Sequence, residues 1–143
     1  DLFRIAMSYP NCYVASISLG ANPIQAIKAF KEAEKHDGPS IIIAYAPCIE
    51  HGIKSGYSNK EQKLVVEAGY TLLMRYNPDE NKLYLDSKEP NYDKLDELWD
   101  NETRFKALKI KDSNLAEELL LMQKNALKQR YEFYKEITSK QEA

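Results

Sequence analysis

The chain has 143 residues, 43% of them hydrophobic and 29% charged, with a formal net charge of −2. That is enough for one self-standing core, and the near-neutral balance gives no reason to expect nucleic acid or an acidic membrane as partner. No apolar run approaches the ~20 residues that span a bilayer, and the two cysteines, Cys12 and Cys48, make no disulfide framework, which favours a reducing, cytoplasmic setting.

The chain enters at Asp1 directly into "DLFRIAMSYPN", which reads as the inside of a domain and so as a piece of something longer. Leu2, Ile5 and Ala6 recur at helical spacing until Pro10 and Asn11 interrupt. "CYVASISL" (Cys12 to Leu19) is rich in β-branched and aromatic residues and predicts a strand. After the "GAN" turn, Asn22 is placed to cap a helix with Pro23 at its first position. Ile24, Ile27, Phe30 and Ala33 then mark an amphipathic helix running through Glu34, with Gly38 expected at its C-terminal cap.

"SIIIAYA" (Ser40 to Ala46) is continuously apolar, the pattern of a strand covered by helices on both faces. A strand, a crossover helix and a second buried strand form a βαβ unit with parallel strands. Ligands of such open sheets bind beyond the carboxyl ends of the strands, where "SLGAN" and "APCIEHGI" both fall. Lys63 to Ala68 reads as a helix stopped by Gly69, Thr71 to Asn77 as a third strand, and "PDENK" as a turn into a short hairpin strand "LYLD". Beyond Pro90 the chain is charged and helical, with apolar positions at Leu115, Leu119, Met122, Ala126, Leu127, Tyr131 and Tyr134 in the last helix. The expected division is an α/β part over residues 1–86 and a helical extension over 87–143.

Cys48 is the residue of most chemical interest. On the residues alone it reads first as a small apolar filler; a nucleophile served by His51 lacks any protease or transferase signature, and one ligand of a metal site whose other thiolates lie elsewhere is the remaining alternative. Cys48, Glu50 and His51 alone do not make a tetrahedral zinc set, because neighbouring side chains in a loop cannot all converge. His36, at a helix C-terminus beside Asp37, reads as structural, and Cys12 reads as core. "SLGAN" lacks the glycine spacing of a phosphate-binding loop, so Asn22 reads as a cap. Tyr131 and Tyr134 read as packing residues.

Several phrases together, "YVASISLGANPIQAIKAFKEAEKHDGPSIIIAYAPCIEHGI", "VEAGYTLLMRYNP" and "LYLDSKEP", resemble the C-terminal part of pyruvate:ferredoxin (flavodoxin) oxidoreductases. The resemblance runs in order from about Asp1 to Tyr134, and "YAPCI" and "LDSKEP" are its most specific phrases. It implies an α/β fold, part of a parallel-sheet, Rossmann-like thiamine diphosphate-binding domain with a helical extension. It also implies a cytoplasmic, homodimeric parent that uses thiamine diphosphate, Mg2+ and 4Fe-4S clusters. Such a parent converts pyruvate and coenzyme A to acetyl-CoA and carbon dioxide and passes electrons to ferredoxin or flavodoxin. By the same resemblance Cys48 matches the fourth ligand of the cluster nearest the thiamine; nothing is implied for Cys12 or His51.

The family's G-D-G and N-T-G-G motifs do not occur here, so this chain alone is expected to bind no cofactor and to be inactive. Its exposed apolar surface is expected to promote association. The alternatives are a related 2-oxoacid oxidoreductase and a non-catalytic α/β interaction module.

Overall fold

The computed structural model describes residues 1–141. Four strands, β1 (Tyr13–Ile17), β2 (Ser40–Ala44), β3 (Met74–Asn77) and β4 (Lys82–Leu85), form one sheet in the order β2-β1-β3-β4. The chain is α/β, as the residues and the resemblance both imply. The sheet is mixed: β1 and β2 run parallel, whereas β3 is antiparallel to β1 and forms a hairpin with β4. Asn81, at φ +48°, makes the tight hairpin turn that "PDENK" signals.

Strand alternation sorts the core into two layers. Tyr13, Ala15 and Ile17 face α2 (Pro23–Lys35), which meets them with Ala26 and Ala29. Cys12, Val14, Met74 and Leu83 face the other way, onto Phe3 and Ala6 of α1 (Leu2–Met7) and Tyr131 and Tyr134 of α6 (Ser113–Gln141). Cys12 is therefore core, as expected, and burial pushes its thiol pKa up. A third cluster joins α3 (Ser58–Glu67), α4 (Lys94–Asn101), α5 (Thr103–Lys111) and α6, centred on Leu95, Leu98 and Trp99. None of the helices among the described residues is long and apolar enough to cross a membrane.

Some local expectations are corrected. Asn22 does cap α2, accepting from the Gln25 N–H at 3.0 Å, but Gly38 is not its C-cap. His36 takes that place in extended conformation, and Gly38 instead allows close passage of the chain: a Cβ there would lie 2.6 Å from His36 Nε2 and 2.9 Å from the Asn11 carbonyl oxygen.

The face that α2 buries is Gln25, Ala26 and Ala29, while Ile24, Ile27 and Phe30 are exposed. Alanines let the helix approach the sheet closely, and polar partners hold its Gln25–Glu32 flank, so the larger apolar residues point outward. β2 is likewise an edge strand that is half exposed rather than enclosed, because among the described residues no further strand pairs with it. In α6 the buried positions are Ala116, Leu120, Leu127, Tyr131 and Tyr134, whereas Leu115, Leu119 and Met122 face solvent.

Arg75, read in the sequence only as a strand residue, organises the α2 face of the sheet. Its guanidinium, with a side chain 4% exposed, forks onto both oxygens of Asp86 at 2.7 and 2.8 Å and onto Glu32 at 2.7 and 2.8 Å. Tyr13 Oη donates to Glu32 at 2.8 Å, and Gln25 Nε2 donates to Asp86 at 3.0 Å. Burial alone would lower the Arg75 pKa, but the bonds to Asp86 and Glu32 outweigh it and keep the group charged.

His36 is structural, as expected, and it is held by Asp79 as well as by its place at the end of α2. Nδ1 lies 3.1 Å from the Asp79 carboxylate and Nε2 3.0 Å from the Asn11 carbonyl oxygen, so an imidazolium donates to both. The Asn11 carbonyl first, and then Asp79, raise its pKa. A raised folded-state pKa gives stability that is fully present below the ordinary histidine value of ~6.5 and is lost as pH rises through the folded value. Urea unfolding at pH 5.5 to 8.5 is expected to show wild type losing stability over the upper part of that range relative to His36→Gln. Parallel curves would remove the charged role.

Candidate functional site: the Cys48 loop

Cys48 lies just past the carboxyl end of β2, where "APCIEHGI" leaves the sheet. Its backbone is extended (φ −107°, ψ 138°), and its carbonyl accepts from the His51 N–H at 3.0 Å, starting one 3-10 turn over Ile49–His51. Gly52 ends the turn with φ +81°, a left-handed conformation that favours glycine. There is a second reason for glycine: a Cβ at this position would lie 2.0 Å from Thr103 Oγ1. Thr103 Oγ1 in turn donates to the Gly52 carbonyl at 3.4 Å. The loop is thus seated on the junction between α4 and α5 while the Cys48 side chain itself remains exposed.

Beneath this seat lies a polar cluster that the sequence reading did not find. Glu61 of α3 is 2% exposed and Glu102, between α4 and α5, is fully buried. Glu61 accepts from Asn101 Nδ2 at 3.1 Å and Glu102 pairs with Arg104, each leaving one carboxylate oxygen without a protein partner. Burial raises the Glu61 pKa, and Glu102 adds to the effect. Tyr45, directly after β2, stands edge-on to Tyr70 with ring centroids 6.4 Å apart. Burial raises its pKa, helped by Glu102 and Glu61. The sequence carries no signal for this cluster, because Glu61 and Glu102 read like any surface glutamates.

The other candidates separate in space. Cys12 precedes β1 and Cys48 follows β2, so a five-residue parallel pair, roughly 16 Å of strand, lies between the two thiols. Glu50 is exposed, and His51 Nδ1 is buried without a partner, so a Cys48–His51 catalytic pair is not formed. Among the described residues, no group of three or more His, Cys, Asp or Glu could hold a metal ion. The "SLGAN" turn has its polar groups engaged: the Gly20 N–H donates to Gln62 Oε1 at 2.9 Å and Ser18 Oγ bonds the same residue. Asn22 is a cap, as read from the sequence.

A cavity of about 370 Å³ opens beside the Cys48 loop at the carboxyl end of β2, lined by Ile43, Tyr45, Ala46, Thr71 and Arg130 among others. Arg130 ties down the turn that follows α3, donating to the carbonyls of Gly69 and Tyr70 at 2.7 and 2.8 Å.

No family model matches the chain. Individual proteins do. It is 47% identical over 96% of its length to the pyruvate:ferredoxin oxidoreductase of Moorella thermoacetica, and 41% identical over 98% to the pyruvate-flavodoxin oxidoreductase of a Nostoc species. The corresponding protein of Klebsiella pneumoniae is 38% identical over 99% of the chain. The chain belongs to the pyruvate:ferredoxin and pyruvate-flavodoxin oxidoreductase family. It spans about 12% of the length of these relatives. A relative from Euglena gracilis, 38% identical over 96% of the chain, is named as an NADP(+)-linked, mitochondrial pyruvate dehydrogenase, so the acceptor differs among proteins that share this segment.

The oxidoreductase resemblance makes an iron–sulfur centre the group to test against these residues. A cluster is held by thiolates, four of them for a cubane. Cys48 fits one such corner, being an exposed thiol carried on a loop whose base is fixed.

Proposed function

We propose that this chain is the part of a pyruvate:acceptor oxidoreductase that supplies Cys48 as the fourth thiolate of the 4Fe-4S cluster nearest the thiamine diphosphate. The observation that carries the reading is the placement of Cys48: an exposed thiol at the carboxyl end of a strand, on a loop pinned at Gly52. When bound in the parent, the cluster supplies one-electron transfer. The residues of this chain hold the thiolate in place. Pro47 and the extended backbone of Cys48 direct the loop away from β2, and Thr103 fixes its far end.

The parent's activity is the oxidative decarboxylation of pyruvate with coenzyme A to acetyl-CoA and carbon dioxide, with ferredoxin or flavodoxin as acceptor. Thiamine diphosphate and Mg2+ are held by residues outside this segment, since the turn best placed for a phosphate has its N–H groups engaged. The parent is cytoplasmic and a homodimer; residues 1–86 belong to its cofactor-binding α/β domain and 87–143 to a helical extension.

The test is anaerobic assay of the complete oxidoreductase with pyruvate, coenzyme A and either acceptor. Acceptor reduction that requires both pyruvate and coenzyme A is the expected result. Reduction with a different 2-oxoacid in place of pyruvate would reassign the substrate, and no reduction with any 2-oxoacid would refute the enzymatic reading.

A further inference from the structure

Among the described residues, six buried side-chain polar atoms have no hydrogen-bond partner, and four of them lie around the seat of the Cys48 loop: Tyr45 Oη, His51 Nδ1, Glu61 Oε1 and Glu102 Oε1. Folded chains pair nearly all such atoms, so this concentration has a physical cause. Its place is telling. His51 precedes Gly52 and Glu102 precedes Thr103, the two residues whose contact seats the loop.

The two carboxyl groups are not equivalent. Glu102 is fully buried but holds the Arg104 guanidinium, so its charge is matched. Glu61 is 2% exposed and makes no ion pair among the described residues; its one bond comes from the neutral amide of Asn101, at 3.1 Å. The groups that surround it supply no free cation. Arg104 is taken by Glu102, and Glu97 of α4 adds a further negative charge. Tyr45 and Tyr70 bring phenols, and His51 Nδ1 from the loop reaches neither carboxylate. A carboxyl buried on those terms is more stable with a proton than with a charge. Burial first, and then Glu102, act in that direction.

We propose that Glu61 is a positioning residue for Cys48 that works as a neutral carboxylic acid, with its proton on Oε1. The acid and Glu102 then bring a single negative charge to the seat, matched by Arg104. Through Oε2 the acid holds Asn101, the last residue of α4, against α3, and so keeps Thr103 under Gly52. Loss of the proton sets a second carboxylate beside Glu102 in a buried space, drives α3 and the α4–α5 junction apart, and frees the loop. The inference concerns the seat alone and stands whether or not the thiol holds iron.

Infrared spectra and amide hydrogen exchange of wild type and Glu61→Gln test it, on the complete oxidoreductase and on this chain. The carbonyl stretch of a protonated carboxylic acid is expected to persist in wild type well above the ordinary glutamate value of ~4.3 and to be missing from Glu61→Gln. The His51 and Gly52 N–H groups donate to the Cys48 and Ile49 carbonyls. Corrected for intrinsic rates, their protection is expected to fall about tenfold in wild type as pH rises through the folded value, and to stay flat in Glu61→Gln. The folded chain holds this proton more tightly than the unfolded one. Wild type therefore loses stability relative to Glu61→Gln between ~4.3 and the folded value. A difference spectrum that loses a carboxylate instead of an acid, or protection equal at every pH, would overturn the proposal. Protection that follows potassium or sodium concentration rather than pH would assign a bound cation to the unpaired oxygens and overturn it equally. Each of these results leaves the oxidoreductase reading intact.

Discussion

Cys48→Ala in the complete oxidoreductase is expected to lower bound iron by about four atoms per polypeptide and to reduce pyruvate-dependent acceptor reduction to background. The magnitude follows from ligand number. A cubane deprived of one of four thiolates has an open iron, and the other thiol of this chain, Cys12, is buried at the far end of the sheet and cannot replace the lost sulfur. Cys48→Ser, which keeps an oxygen at the same place, should retain more iron than alanine. Because the Cys48 side chain is exposed, the same substitution in the isolated chain should change unfolding free energy by no more than about 0.5 kcal/mol. That contrast separates ligand loss from misfolding. Full iron content and normal turnover in Cys48→Ala would dispose of the assignment.

The second large effect is on stability. Arg75→Met in the isolated chain should lower unfolding free energy by about 3 kcal/mol and the melting temperature by about 10 °C, followed by urea and thermal denaturation. Removing the guanidinium strands Glu32 and Asp86 against a buried face and removes the acceptor geometry that Tyr13 and Gln25 share. The loss falls at the low end of the range for a broken buried pair because Glu32 and Asp86 side chains are 27% and 18% exposed and can regain some water. The triple variant Arg75→Met, Glu32→Gln, Asp86→Asn should be less destabilised than the single one, since it leaves no unpaired charge. A single variant as stable as wild type would show the network to be dispensable.

Local elements were legible in the sequence where chemistry is local. Asn22-Pro23 starts α2, Gly69 at φ +73° stops α3, and the β3–β4 turn sits at "PDENK". What was misread depends on neighbours. The Ile24, Ile27 and Phe30 stripe correctly marked α2 as amphipathic, yet periodicity cannot tell an apolar face that is covered from one that is open. The triple isoleucine of β2 likewise announces an interior strand, and here it is an edge. The Arg75 network escaped because its members lie 43 and 11 residues apart in the chain and only the sheet unites them. For the candidate site, Cys48 stood out in the sequence, but the residues that seat its loop did not. Thr103 and Glu102 carry no pattern of their own and became informative only once α5 was seen to lie against Gly52.

The contact between Gly52 and Thr103 spans 51 residues of sequence. On a ribosome adding ~5–20 residues per second, the Cys48 loop emerges several seconds before the helix junction that seats it. During that interval the thiol has its residue identity but not its address. A loop whose seat is synthesised this late takes its final position only after the junction between α4 and α5 has been made, so the order of synthesis sets the Cys48 loop to settle late in folding.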